Sequence, residues 1–189
     1  MALLGPRFQD ALQYAASLHA EQLRKGTAIP YVSHLLSTCA LVLESGGDED
    51  EAVAALLHDA VEDQGGPPVL AEIERRFGPG VASIVAACTD SDAVVKPPWR
   101  PRKEAYIAQL RHAPLPVLRV SCADKLHNAR SIMADLRPQG EALWPRFSGG
   151  RDGTLWYYET LAELFTASSL GPLAEELQRT VAEMKRQAG

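Results

Sequence analysis

Apolar residues recur at intervals of three and four along almost the whole chain, and this spacing predicts amphipathic α-helices. The pattern begins with Phe8, Leu12 and Ala15, directly after the helix-starting pair Gly5-Pro6. No stretch alternates apolar and polar residues for long enough to predict a β-strand. The spacing therefore predicts an all-α fold.

Glycine, proline and N-cap residues divide this pattern into nine predicted helices. Ser33 is predicted to cap the second helix and Asp48 the third, which continues to about residue 64. The glycine- and proline-rich stretches 90–101 and 137–153 are predicted to be connections. Because 189 residues suffice for one core and no linker divides them, we predict a single helical domain over residues 1–189. The later helices are predicted over about 69–77, 80–89, 102–112, 116–136, 154–167 and 170–187.

The composition excludes several classes of protein. A formal net charge of -5 disfavours nonspecific binding to nucleic acid, because an acidic surface repels the phosphate backbone. No apolar run approaches the roughly 18 residues that a membrane span needs, and the first residues lack the pattern of a signal peptide. Cys39, Cys88 and Cys122 form no CxxC pair, which predicts a reducing compartment. We therefore expect a cytoplasmic protein with no membrane and no nucleic-acid partner.

The segment LLHDAVED, residues 56–63, places four ionisable side chains immediately behind an apolar helical run. Residues four apart share a face of a helix, so His58 lies above Glu62 and Asp59 lies above Asp63. Charged groups are rarely buried without a partner. Either the helix turns outward to solvent at this point, or the four side chains converge on a metal ion.

Two further segments supply candidate metal ligands. His34 lies near the start of an apolar helix, and Asp124 lies between apolar residues of another. Each has an ordinary structural interpretation, since a single histidine is usually a hydrogen-bonded core residue and Asp124 has basic neighbours to pair with. Together with His58 and Asp59 they form a set of two nitrogen and two carboxylate ligands, which suits Mn, Fe, Zn or Mg ions.

The order of these motifs resembles that of a known family. His34 is followed by HDAVED at 58–63 and ADKLHNAR at 123–130, as in the HD-domain superfamily of metal-dependent phosphohydrolases. The stretches RKGTAIPYVSH, AALLHDAVED and IERRFGPGVASIVAACTD narrow the resemblance to the hydrolase domain of RelA/SpoT homologues, and in particular to small alarmone hydrolases. The resemblance extends from about residue 8 to residue 137 and implies a compact HD-domain helical bundle.

The resemblance also implies a function and a set of site residues. Proteins of this type cleave the 3′-pyrophosphate from ppGpp or pppGpp and release pyrophosphate with GDP or GTP. By analogy, Glu62 and Asp63 would position or deprotonate the attacking water. The metal, usually Mn²⁺ in this family but open here to another divalent ion, would be held by His34, His58, Asp59 and Asp124. The nucleotide would be contacted by Arg24, Lys25, Lys103, Lys125, Asn128, Arg130 and Tyr157.

The chemistry of the residues agrees with this function independently of the resemblance. A divalent ion lowers the pKa of bound water, and a carboxylate one turn from His58, such as Glu62, can take the proton. Because the chain is acidic overall, Arg24-Lys25 is the most useful local cationic pair for a phosphate. The alternative interpretation of that pair is a solvated helix end, where basic side chains complement the helix dipole.

Two segments depart from the family's pattern, and we expect them to shape the pocket. In the first, KPPWRPRK, the basic residues Lys96, Arg102 and Lys103 either line the pyrophosphate site or form an exposed basic loop. Trp99 either stacks on a base or anchors the loop to the body of the protein. The second segment, residues 143–158, is the most aromatic part of the chain and forms either a lid or part of the core.

Alternative functions stay open at this point. Another HD phosphohydrolase would act on the 2′-phosphate of NADPH or on another nucleotide, whereas a cyclic-dinucleotide enzyme would need a second metal and more histidines. A metal-retaining protein that senses a nucleotide without hydrolysing it is a further alternative, which Glu62 and Asp63 disfavour. His19, His112 and His127 have no partner by spacing and are predicted to be surface or capping residues. The sequence does not indicate an oligomeric state.

Overall fold

The computed structural model describes residues 4–90 and 97–189, which are almost entirely helical. No β-strand occurs in this described part of the chain, where Leu23 and Pro30 form an isolated antiparallel bridge. The all-α prediction is confirmed. The helices are α1 (Pro6–Leu18), α2 (Val32–Glu44), α3 (Glu49–Leu57), α4 (Ala60–Gln64), α5 (Pro67–Phe77), α6 (Pro79–Cys88), α7 (Trp99–Leu110), α8 (Leu115–Gln139), a 3₁₀ helix (Gly140–Arg146), α9 (Gly150–Thr166) and α10 (Pro172–Ala188).

Helix α3 begins with the N-cap that the sequence predicts. Asp48 Oδ1 accepts a hydrogen bond from the Glu51 backbone N–H at 3.0 Å, and Glu51 Oε2 accepts one from the Asp48 N–H at 2.8 Å. This reciprocal pair satisfies two of the helix's unpaired donors and is worth about 1 kcal/mol. The cap therefore fixes the start of the helix that leads into the HDAVED motif.

The predicted cap of α2 at Ser33 is wrong. The helix begins one residue earlier, at Val32, and no side-chain capping bond is made at its start. The chain enters α2 through a turn in which the Pro30 carbonyl accepts the Ser33 N–H at 3.1 Å. Ser33 therefore already lies inside the first helical turn.

The predicted third helix, about residues 48–64, is two helices in the structure. A turn formed by His58 and Asp59 separates α3 from α4. The His58 ring donates from Nδ1 to the Ala55 carbonyl at 2.8 Å, which is the carbonyl that the Asp59 N–H would use in a continuous helix. The Asp63 N–H still donates to the Asp59 carbonyl at 3.0 Å, so these two residues remain one turn apart.

The predicted connection over residues 137–153 is mostly helical. Helix α8 continues to Gln139, the 3₁₀ helix follows it, and α9 begins at Gly150. Pro138 occupies the last turn of α8, and Gly140 ends that helix with a φ of +55°. The prolines and glycines of this stretch therefore mark helix ends instead of a loop.

Helix α8 occupies the centre of the fold. It packs against α2, α3, α6, α9, α10 and the 3₁₀ helix, and one cluster of buried apolar side chains runs through these elements. Asp124 lies on α8 and is only 5% exposed, so a carboxylate inside this apolar surrounding needs a positive partner. No helix within residues 4–90 and 97–189 is long and apolar enough to cross a membrane.

Candidate metal centre and active-site cavity

Four side chains from three parts of the chain meet beside α8. His34 comes from α2, and His58 and Asp59 come from the turn after α3; a ligand atom of each lies within 4.8 Å of the others. Asp59 Oδ2 lies 3.0 Å from His58 Nε2 and 3.5 Å from His34 Nε2. Asp124 Oδ1 completes the group at 3.2 Å from His34 Nε2 and 3.7 Å from His58 Nε2. The structure therefore brings together all four predicted metal ligands.

The donor atoms of this group fit a divalent metal ion. The Nε2 atoms of His34 and His58 are both buried and have no hydrogen-bond partner among the described residues. Buried ring nitrogens without a partner are costly unless a cation binds them. Two imidazole nitrogens and two carboxylates match the ligand preferences of Mn, Fe and Zn ions.

Outer contacts orient the predicted ligands, as His58, Asp59 and His34 show. His58 Nδ1 donates to the Ala55 carbonyl, which leaves Nε2 with its lone pair directed at the centre. The Tyr31 hydroxyl donates to Asp59 Oδ2 at 2.6 Å. His34 Nδ1 lies 2.7 Å from Nδ1 of His127. Each contact fixes the direction in which a ligand presents its donor atom.

His127 corrects a prediction made from spacing. It is neither a surface residue nor a cap, because its ring packs on His34 with the two centroids 4.8 Å apart. Burial, together with the neighbouring His34 and Arg24, lowers the pKa of His127 to about 4. The neutral ring can accept the His34 Nδ1–H, which frees His34 Nε2 for a metal. His19 is also buried, whereas His112 is exposed as predicted.

The charges of the centre favour a cation within it. Burial alone would raise the pKa of both carboxyl groups, but His58 holds the pKa of Asp59 well below its usual range and Lys125 does so for Asp124. Burial would lower the pKa of His58, yet the two carboxylates outweigh it and raise this pKa well above its usual value. The two carboxylates therefore stabilise a positive charge on the buried His58 ring, and a divalent ion bound by the group would take the place of that proton.

Glu62 and Asp63 of α4 line the same cavity as the metal ligands. The side chain of Gln22 donates from Nε2 to Asp63 Oδ2 at 2.8 Å. The other end of Gln22 is held as well, since its Oε1 lies 2.6 Å from His19 Nδ1. The two carboxylates predicted to act on water are thus beside the metal group, and Asp63 is held by a chain of side chains that the sequence did not reveal.

The cavity has a volume of about 540 Å³, and one of its walls is a stripe of α8. Asn128 lies one turn beyond Asp124; it donates to Asp124 Oδ1 and accepts from Arg24 Nη2, both at 2.5 Å. Lys25 lies next to Arg24 on the cavity wall. Asn128 thus links a cation to a metal ligand, and the basic pair is part of the site instead of a solvated helix end.

A second group of cationic side chains lines the same cavity. Lys125 donates to Asp124 Oδ2 at 2.5 Å, and Arg102 and Lys103 both bond to Asp90. Burial, and then the nearby Lys125, lower the pKa of Lys103. Arg102 and Lys103 are therefore cavity residues and not an exposed basic loop, while Lys96 lies outside the described residues.

The aromatic segment is mainly core. Trp144, Tyr157 and Tyr158 are buried, which favours the core interpretation over a lid, although Phe147 lines the cavity. Tyr157 also lines the cavity, and its buried hydroxyl has no hydrogen-bond partner within residues 4–90 and 97–189. Trp99 packs on the body of the protein, as an anchor does, and it also lines the cavity.

One predicted substrate residue lies elsewhere. Arg130 is outside the cavity and bonds to Glu176 of α10. Arg146 also lines the cavity, which its spacing in the sequence did not predict. It lies on the 3₁₀ helix and donates from Nη1 to Asp135 Oδ2 of α8 at 2.5 Å. The remaining predicted residues all line the cavity or its metal group.

A model of the HD domain family matches residues 11–155, most of the chain, and this range contains all four residues of the metal group. The chain belongs to the HD domain family. The resemblance drawn from its motifs is therefore confirmed.

Curated relatives of this HD domain have related names. Over 132 residues it is 33% identical to the guanosine-3′,5′-bis(diphosphate) 3′-pyrophosphohydrolase MESH1 of Drosophila melanogaster. This match covers 68% of this chain and 71% of MESH1. Over 138 residues this chain is 30% identical to the bifunctional (p)ppGpp synthase/hydrolase SpoT of Escherichia coli K12. That match covers 70% of this chain but only 19% of the much longer SpoT.

Solved structures share the fold of this HD domain. One, described as a metazoan ortholog of SpoT that hydrolyzes ppGpp, superposes with a TM-score of 0.73 at 26% identity and covers 100% of this chain and 99% of its own. A crystal structure of a Listeria monocytogenes protein superposes with a TM-score of 0.71 at 31% identity, covering 81% of this chain and 99% of its own.

Proposed function

We propose that this HD domain is a metal-dependent 3′-pyrophosphohydrolase of guanosine 3′,5′-bis(diphosphate) and its 5′-triphosphate form, with Mn²⁺ as the resident ion. The observation that carries the proposal is that one cavity lies at the four predicted metal ligands and is lined by the two carboxylates of α4 and by two groups of cationic side chains. The names of MESH1 and SpoT support the choice of substrate. The products are pyrophosphate and GDP or GTP.

The residues of the metal group have separate roles in this reaction. His34, His58, Asp59 and Asp124 hold the ion, which when bound would lower the pKa of a water molecule and polarise a phosphoryl oxygen. His34, His58 and Asp124 are buried, whereas Asp59 is partly exposed and lines the cavity together with Asp124. The fixed ring of His58 and the hydrogen-bonded carboxylate of Asp59 keep the ligands aligned before substrate arrives.

The carboxylates of α4 act on the attacking water. We assign Glu62 and Asp63 to orienting it and accepting its proton, since both line the cavity beside the ligands. The water oxygen forms a bond to the phosphorus attached to the 3′-oxygen of the ribose. The bond between that phosphorus and the 3′-oxygen breaks, and the 3′-hydroxyl leaves with a proton while pyrophosphate is released.

The two groups of cationic side chains bind the charge of the substrate. Lys125 bonds to Asp124 and Lys103 lines the same cavity, and both are assigned to the 3′-diphosphate. Arg24 and Lys25, with Asn128, are assigned to the nucleoside and its 5′-phosphates. The unpartnered hydroxyl of Tyr157 is a further donor for substrate; the set omits Arg130, which is paired with Glu176 outside the cavity.

We also propose that the whole chain forms one domain. Helix α8 packs against α2 and α3 as well as against α9 and α10, so neither half buries its apolar residues alone. All three cysteines are free thiols, which supports a reducing compartment such as the cytoplasm.

The test is pyrophosphate release from ppGpp by metal-stripped protein, with and without added Mn²⁺. Asp59→Ala is expected to abolish release, whereas Asp152→Ala, which removes an exposed carboxylate outside the cavity, is expected to leave it unchanged. NADPH serves as a parallel substrate. If the protein hydrolyses NADPH and not ppGpp, the proposed metal centre stands but the proposed substrate is wrong. If it binds Mn²⁺ and hydrolyses neither compound, it is a nucleotide sensor instead of an enzyme.

A further inference from the structure

Trp99, the first residue of α7, lies against the backbone at the start of α9. A Cβ atom added to Gly149 would lie 2.7 Å from two atoms of the indole ring, and one added to Gly153 would lie 3.0 Å from another. Real Cβ atoms essentially never approach a neighbour as closely as 2.7 Å, and 3.0 Å is tighter than nine in ten real Cβ contacts. Because residues four apart share a helix face, the two glycines form one cradle that any larger residue would fill.

The cradle is unusual for the start of a helix. Glycine inside a helix costs up to about 1 kcal/mol relative to alanine, and α9 has Gly150 and Gly153 in its first turn with Gly149 as N-cap. The close approach of the Trp99 ring supplies a physical reason for two of the three. The ring also meets the edges of Trp156 and Tyr157, with centroids 6.2 Å away in both cases.

The first turn of α7 is held to α9 from both sides. Trp99 occupies the glycine cradle, and the guanidinium of the next residue, Arg100, lies 3.3 Å from the ring centroid of Trp156. The apolar anchors of α7 are Tyr106, Ile107 and Leu110, which lie in its second half. Arg102 in the same turn bonds to Asp90, so the position of the first turn depends on that ion pair and on the contact with α9.

The next turn of α7 carries a cation of the active-site cavity. Lys103 lies four residues after Trp99 and on the same helix face. Its Nζ lies 4.9 Å above the ring centroid of Tyr157 and bonds to Asp90. A shift of the Trp99 ring would move Lys103 relative to both partners and to the cavity.

We propose that Trp99, Gly149 and Gly153 form a positioning device that sets the affinity for the substrate's phosphates by holding Lys103 at the cavity. The inference rests on the proposed function for the identity of the substrate. Trp99 acts here through Lys103 and is a positioning residue. The device explains why a tryptophan follows two prolines in a basic stretch that also lines the site.

The first test is Gly153→Ala, measured with ppGpp and Mn²⁺. The added methyl group would force the indole ring to move by a few tenths of an ångström, so KM is expected to rise about tenfold, the size of one charge-assisted hydrogen bond. The kcat should stay within about twofold, and Mn²⁺ affinity should not change, because the metal ligands lie on other elements. Asp152→Ala is the control, an exposed substitution on the same turn of α9.

Two double-variant cycles identify the path of the effect. In a Trp99→Leu background the ring is gone, so Gly153→Ala should add no further rise in KM. In a Lys103→Met background Gly153→Ala should likewise add nothing. If KM still rises with Lys103 replaced, then Trp99 acts on the substrate directly and the proposed path is wrong.

Failure of the inference and failure of the proposed function are distinguishable. If the unaltered protein releases pyrophosphate and neither Gly153→Ala nor Trp99→Leu raises KM, the positioning device is refuted while the function stands. If the unaltered protein releases no pyrophosphate, both are refuted. Should Gly153→Ala not fold, Trp99→Leu alone carries the same expected rise in KM.

Discussion

Replacing His127 with phenylalanine is expected to weaken metal binding while leaving the fold intact. His34 is fully buried, and its Nδ1 has His127 as its partner at 2.7 Å. A phenylalanine ring fills the same space but cannot accept a hydrogen bond. It also keeps out the water that a smaller residue would admit, so the His34 Nδ1–H loses its acceptor.

The size of the effect follows from the burial of His34. Leaving a buried donor unsatisfied costs about 1–3 kcal/mol, and this cost is relieved when the ring reorients or takes its proton on Nε2. Both changes misplace the lone pair that the metal needs. Loss of such an outer partner typically lowers metal affinity 10–100-fold, which is about 1.4–2.7 kcal/mol.

The assay is calorimetric titration of metal-stripped protein with Mn²⁺. His112→Phe is the matched control, because His112 is an exposed histidine away from the cavity and its replacement should leave Kd unchanged. Thermal unfolding without metal should differ little between the two variants. Equal Mn²⁺ affinity in His127→Phe and the unaltered protein would refute the role of His127 in orienting His34.

Four further outcomes are expected. Chelating the metal should lower Tm by roughly 5–11 °C, since an ion at 100 times its Kd contributes about 2.7 kcal/mol, and an unchanged melting curve would argue against a bound metal. Gln22→Leu removes the donor to Asp63 and should lower kcat about tenfold with the same Mn²⁺ affinity; a loss of affinity instead would place Gln22 in the metal group. Arg119→Met leaves the buried Glu51 carboxylate without its cation and should reduce the free energy of unfolding by about 2–3 kcal/mol in denaturant titration, a loss that Glu51→Gln in the same background should partly recover. Arg130→Ala should leave KM for ppGpp unchanged in steady-state kinetics, because Arg130 pairs with Glu176 outside the cavity. A higher KM would show that Arg130 contributes to substrate binding.

Local patterns in the chain predict its helices and its chemical groups. Periodic apolar residues predict which face of each helix is buried. A carboxylate among apolar neighbours, such as Asp124, predicts a buried charge. Because such a charge requires a partner, His34, His58 and Asp59 could be assigned to it from the sequence before any distance was known.

Other features depend on competition between local and tertiary contacts. The third predicted helix is interrupted because the His58 ring takes the Ala55 carbonyl that the helix would have used. Arg130 lies outside the cavity and pairs with Glu176 of α10. Spacing along the chain carries no information about that pairing.

The sequence by itself predicted the all-α class from periodicity, the family from the resemblance of its motifs, and the four candidate metal ligands from charged and histidine residues placed among apolar ones. Only the tertiary structure decided that His127 supports His34 and that Trp99 fits two glycines about 50 residues away. Both contacts join helices distant in sequence. They depend on side-chain shape and direction, which the packing of α8 and α9 sets and which no local pattern encodes.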